Sequence, residues 1–232
     1  MNSTPRALTV LNYASLGLLA VATGLVFFYA PMEVVMGQVQ RVFYFHVASW
    51  WVGMLGLLAA AVAGVIYLIR KDTRWDTWSV SAVEISVVFG IIGIVTGSIW
   101  ARPAWNTWWT WDPRLTTATV MLLIYIAYLL LRQGIDDPDR RARFGAVYVI
   151  LGFISVPITF FSIRLYRTIH PVVIGANSAG AQGEFDMTAK MLQVFMFSLL
   201  TFTVLFVTLM WNRYRLGRLS EEVEQERLKV TA

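Results

Sequence analysis

The sequence predicts an all-α, polytopic integral membrane protein with six transmembrane helices and both termini on the cytoplasmic side. Three observations predict it. Of the 232 residues, 57% are hydrophobic and only 14% charged, and the mean hydropathy is +0.61; a soluble domain is nearer half apolar and a quarter charged. Six apolar runs reach the about 20 residues that a spanning helix needs. Lys and Arg crowd into alternate connections between those runs. Cysteine is absent, which excludes a disulfide framework, a thiolate metal site and a cysteine nucleophile.

The runs can be taken in order. Residues 7–32, 42–69, 115–131, 144–163 and 191–212 carry no charge, and 77–101 carries one, Glu84. Spans are expected at about 8–30, 45–69, 78–100, 115–131, 145–163 and 191–211, the fourth being the shortest. The first run exceeds a signal peptide's apolar region and lacks a convincing small-residue cleavage site, so it reads as a retained span. Residues 1–212 form one six-helix membrane domain. The remainder, 213–232, includes "SEEVEQERLKV" and reads as a helix-prone, solvated cytoplasmic tail.

Orientation follows from the positive-inside rule. The N-terminus, the 70–78 and 132–143 connections and the tail hold thirteen Lys and Arg residues. The opposite connections hold six: Arg41, Arg102, Arg114, Arg164, Arg167 and Lys190. The richer side is expected to be cytoplasmic, so 30–46, 100–114 and 164–190 face out. The basic excess, with an isoelectric point near 9.7, thus reports orientation in membrane lipid and no nucleic-acid partner.

Chemistry-bearing residues collect on that outer side. The chain has two histidines: His46 in "RVFYFHVASWW" at the mouth of the second span, and His170 in "RLYRTIHPVV" beyond the fifth. Between the third and fourth spans lies "WNTWWTWDPRLT" (105–116). Five of the ten tryptophans, Trp100, Trp105, Trp108, Trp109 and Trp111, fall within twelve residues there. Imidazole is a good axial ligand for haem iron. Indole faces can cover a porphyrin, and Arg can pair its carboxylates. Phe43, His46 and Trp50 share a helix face, which would give His46 an aromatic wall. Arg41, Arg102, Arg114, Arg164 and Arg167 are the propionate candidates, unranked. Plain alternatives stand beside these readings. Tryptophan forms belts at membrane interfaces, a lone histidine at a helix end is often only a polar interfacial residue, and Asp112 before Pro113 reads as a helix cap. Glu84 would contact a partner subunit, respond to protonation, or simply face a neighbouring Ser, Tyr or water. The stretch "IGANSAGAQGEFD" (174–186) reads as a flexible outer loop, either a lid or docking surface or a simple connection.

The tryptophan stretch closely resembles the WWD signature of haem-handling proteins in cytochrome c biogenesis, and within that group the chain is similar to the haem exporter protein C (CcmC) family. The resemblance extends over nearly the whole chain. It implies a b-type, non-covalently bound haem with His46 and His170 as axial ligands to the iron. Trp105, Trp108, Trp109, Trp111 and Asp112 correspond to the WWD motif, with Trp100, Phe43, Trp50, Arg41, Arg102 and Arg114 as further candidates. It implies a haem transfer component without catalysis of its own, in the bacterial inner membrane with its site facing the periplasm. The implied partners are a CcmE-type haem chaperone, CcmA/CcmB-type ABC transporter subunits, which would supply ATPase activity, and a CcmD-type small membrane peptide. The family has Gly after the first tryptophan where this chain has Asn106, which puts the loop's geometry in question. Two rival readings are a haem–apocytochrome c ligase, which predicts additional haem-ligand histidines, and a transmembrane haem transporter, which predicts polar residues along the spans.

Overall fold

A computed structural model describes residues 4–33, 36–171 and 187–231. Seven α-helices supply six candidate membrane spans, and the described residues form no β-strand. Helix α1 (Arg6–Gly24) ends in a π turn, Leu25–Tyr29. It is followed by α2 (Gln40–Arg70), α3 (Thr73–Trp105) and α4 (Pro113–Gln133). Helices α5 (Pro138–Gly152) and α6 (Ser155–Leu165) share the fifth span, and α7 is Ala189–Thr231. The protein is a multi-pass membrane protein.

Local chemistry sets the helix ends. Three aspartates cap α3, α4 and α5: Asp72 accepts the Arg74 N–H at 2.9 Å, Asp112 that of Leu115 at 2.9 Å, and Asp137 that of Arg140 at 2.7 Å. Pro113 and Pro138 follow two of them at the first helical position, where a missing N–H costs nothing. In the fifth span, Pro157 has no N–H to offer the Phe153 carbonyl four residues back, which accounts for the break between α5 and α6.

Small residues let α2 and α3 approach closely. Gly53 and Gly56 of α2 face α3, and Gly93 and Gly97 of α3 face α2. The main core joins Val52, Val83, Tyr125, Val149 and Phe206, drawn from five helices. At the other end of the bundle from His46, Arg132 grips both oxygens of Asp76 at 2.7 Å each.

Several expectations change. The tryptophan connection is shorter than 100–114, because α3 runs through Pro103 to Trp105 and only 106–112 link it to α4. Arg102 closes that helix by donating to the Asn106 carbonyl at 2.7 Å and to its Oδ1 at 2.8 Å. Helix α2 begins at Gln40, so His46 lies inside the helix and not at its start. Glu84 has a partner within the chain that its sequence context does not name: Arg213 of α7 pairs with it at 2.5 and 2.8 Å. Helix α7 crosses residue 212 unbroken, and its polar end is strengthened by pairs such as Arg218–Glu221 and Lys229–Glu226. The stretch 174–186 lies outside the described residues.

Candidate functional site

One end of the bundle is hollowed into a cavity, partly open to solvent, where α2, α3, α4, α6 and the 166–171 segment meet. Both histidines line it. Their ring centroids stand 6.4 Å apart with the planes inclined by 35°. Each ring has its Nδ1 against a carbonyl oxygen: Gly93 O at 2.9 Å for His46, and Pro171 O at 3.1 Å for His170. A carbonyl only accepts, so each Nδ1 carries the proton. Each Nε2 is then left with its lone pair, the form in which histidine binds metals. Burial, with Arg114 and His46 adding repulsion, pushes the His170 pKa down to about 3, so the ring is neutral at physiological pH.

His170 is held at a distance in sequence. Asp112 uses one oxygen to cap α4 and accepts the Thr168 hydroxyl with the other. The Thr168 hydroxyl oxygen in turn accepts the His170 backbone N–H at 3.1 Å. The aspartate of the tryptophan stretch is therefore tied directly to the segment carrying His170.

The tryptophans divide. Trp100 is buried and sets its ring edge-on to Trp105 at 5.1 Å, and Trp105 meets His170 at 6.3 Å. Trp50, Trp100, Trp105, Trp108 and Trp109 all line the cavity. Trp111 does not line it; it lies edge-on to Trp109 at 5.7 Å and is 73% exposed. Among the arginine candidates, Arg114 and Arg164 line the cavity, and Arg114 also donates to the Thr159 carbonyl. Arg102 is engaged with Asn106, and Arg41 lies over the Phe27 ring. Phe43 stacks on Phe195 at 5.6 Å in a cluster with Val26, away from the cavity. The aromatic wall beside His46 is therefore Trp50 without Phe43.

The family model described as "Heme exporter protein C" matches residues 1–229. The chain belongs to the haem exporter protein C family. Among relatives named "Heme exporter protein C", that of Bradyrhizobium diazoefficiens is 31% identical over 78% of this chain and 67% of its own length. That of Haemophilus influenzae is 28% identical over 95% and 89%, and that of Escherichia coli K12 is 34% identical over 62% and 59%.

The cavity's residues fit the group in the family's name on three counts. Two metal–nitrogen bonds of about 2 Å, plus roughly 1 Å from each nitrogen to its ring centre, need about 6 Å between imidazole centroids, and 6.4 Å is present. The walls are indole and aliphatic, suited to a flat apolar ring. Arg114 and Arg164 line the cavity, and the buried indole N–H groups of Trp100 and Trp109 have no hydrogen-bond partner among the described residues, so these indoles can donate to carboxylate oxygens.

Some site residues escaped the sequence reading: Gly93, Thr96 and Gly97 beneath His46, and Thr168 beside His170. The glycine spacing in "GIIGIVTG" (90–97) signals close helix packing. Nothing local marks Thr168.

Proposed function

We propose that this protein holds a non-covalent, b-type haem in the outer-end cavity and passes it to a CcmE-type chaperone. Membership of the haem exporter protein C family places it in haem handling for cytochrome c maturation. His46 and His170 would be the axial ligands. Trp50, Trp100, Trp105, Trp108 and Trp109 would cover the ring, and Arg114 and Arg164 would meet the propionates. When bound, haem supplies an iron with two axial positions and a pair of carboxylates. The chain's own work is to hold both imidazoles neutral with Nε2 free, to exclude water with indole, and to keep the His170 segment docked through Asp112 and Thr168.

The observation that carries this reading is the pair of imidazoles across an indole-lined cavity, each with Nδ1 on a carbonyl. Both histidines of the chain are used there, leaving none for a second haem; this favours a transfer component over a ligase. The Lys and Arg distribution supports a cytoplasmic tail from 213, both termini inside, and a site facing the periplasm of a bacterial inner membrane. Assembly with CcmA/CcmB-type ABC subunits and a CcmD-type peptide belongs to the same reading, as does the absence of bond-making catalysis in this chain.

Visible spectra of the purified protein test it. His46→Ala and His170→Ala are each expected to lower bound haem and change the absorption bands. A double variant with the wild-type spectrum would overturn the assignment.

A further inference from the structure

We propose that residues 93–97 of α3 form a seat that fixes the rotation and tautomer of His46, which makes Gly93, Thr96 and Gly97 positioning residues for haem. The inference rests on the reading of His46 as an iron ligand.

The seat is built from two matched pairs. His46 and Trp50 lie one turn apart on α2, and Gly93 and Gly97 lie one turn apart on α3. A Cβ on Gly97 would stand 2.8 Å from His46 Cε1 and 3.2 Å from its Nδ1. A Cβ on Gly93 would stand 2.6 Å from Trp50 Nε1 and 2.7 Å from Cε2. Both side chains therefore lie directly against α3 where no side chain intervenes.

A general need for close helix packing would explain glycine here without any link to the ligand. The neighbours decide between the two explanations. The three atoms nearest the Gly97 position all belong to the His46 ring, and the three nearest Gly93 all belong to Trp50. The Gly53 position, in the same helix pair, meets Ser86 O at 3.6 Å, Phe89 Cβ at 3.8 Å and Gly90 N at 3.9 Å, which is ordinary contact. A tight approach also occurs at Gly56, against Ser86 Oγ and Phe206, but of the close approaches in this helix pair only those at Gly93 and Gly97 are to cavity-lining side chains.

Hydrogen bonding completes the seat. His46 Nδ1 faces both Gly93 O at 2.9 Å and Thr96 Oγ1 at 3.3 Å. The Thr96 hydroxyl donates to the Ile92 carbonyl at 2.7 Å, so its oxygen is available as an acceptor. The Nδ1–H is shared between two acceptors fixed to one helix turn. Such partners orient a ligating imidazole and raise its basicity, and losing one typically costs about 10–100-fold in metal affinity. Gly97 supplies the space, the Gly93 carbonyl fixes the proton, and Thr96 strengthens the donation.

The experiment uses the full-length, detergent-purified protein reconstituted with haem. Haem affinity, the visible spectrum and the midpoint potential are read for wild type, His46→Ala, Gly97→Ala, Gly53→Ala, Thr96→Val and Thr96→Ser. Gly97→Ala is expected to weaken haem about 10-fold or more and alter the bands, and Gly53→Ala to leave both unchanged. Thr96→Val should raise the potential, because a less basic imidazole stabilises the ferric iron less, and Thr96→Ser should restore it. If His46→Ala matches wild type, the ligand reading itself fails. If His46→Ala changes the spectrum while Gly97→Ala and Thr96→Val match wild type, the ligand reading stands and the seat is overturned. Should Gly97→Ala not fold, the Thr96 pair decides alone: a potential unmoved by valine overturns the seat.

Discussion

The two histidines reach the same cavity by different means. His46 stands on α2 and rests against the backbone of α3, two long helices linked by only two residues. His170 stands on the irregular 166–171 segment. Its backbone is held by a relay in which His170 N–H donates to Thr168 and Thr168 donates to Asp112. One imidazole is positioned by helix packing that cannot move without moving the bundle. The other is positioned by two hydrogen bonds that can break without disturbing a helix. The relay gives Asp112 a second task, since the residue that starts α4 also holds the His170 segment.

The sharpest way to break this comparison is at Asp112. Asp112→Ala removes the cap of α4, worth about 1 kcal/mol, and the anchor of the His170 segment together. Haem retention is expected to fall about 10–100-fold, measured by haem titration with a thermal melt alongside. Retention equal to wild type would show that the relay does not hold His170. A smaller effect is expected of Thr168→Val, which keeps the shape and the cap: about 10-fold at the lower end of the range for lost supporting groups. Its effect should vanish in the His170→Ala background and persist in the His46→Ala background. Equal effects in both backgrounds would mean that Thr168 acts on the whole cavity. Trp105→Phe keeps an edge-on ring against His170, so only part of an aromatic pair worth about 0.5–1.5 kcal/mol should be lost. A few-fold change in haem affinity is the expected reading.

Much of this was legible in the chain because burial in lipid imposes a coarse, one-dimensional rule. Six uncharged or nearly uncharged runs give six spans, and the structure has six candidate spans. Asp112 before Pro113 announced the cap that α4 has. Helix ends were harder. The third span was expected to end near residue 100, yet α3 continues through Pro103 to Trp105, where Arg102 closes the last turn on Asn106. Phe43 does share a face with Trp50, but a shared face does not say which neighbour covers each turn, and Phe195 of α7 covers Phe43. Arg213 was not among the neighbours expected for Glu84 because it lies 129 positions away. Thr168 was invisible for the same reason, 56 positions from Asp112. Pairings of this kind are made by tertiary packing, and no local pattern carries them.

The smallest effect is expected at the place where the chain departs from its family's glycine. Asn106 sits in the left-handed region, with φ 55° and ψ 23°, at the end of α3. That conformation explains a glycine there, and Asn is the side chain that tolerates it next best. Asn106 meets that demand on the backbone in this chain. Asn106→Gly would remove the strain of a Cβ and lose the Arg102–Oδ1 hydrogen bond, while the Arg102 bond to the carbonyl remains. Arg102 and Asn106 are exposed there, so the two changes are small and opposed, and a net shift within about 0.5 kcal/mol is expected. The melting temperature and haem spectrum should both match wild type closely. A ten-fold loss of haem in Asn106→Gly would mean that the Arg102–Asn106 side-chain contact shapes the tryptophan link. Asn106→Val is the complementary case: a β-branched residue at positive φ costs about 1–2 kcal/mol, and because the link ends at Asp112, that strain should register at His170 before it registers at His46.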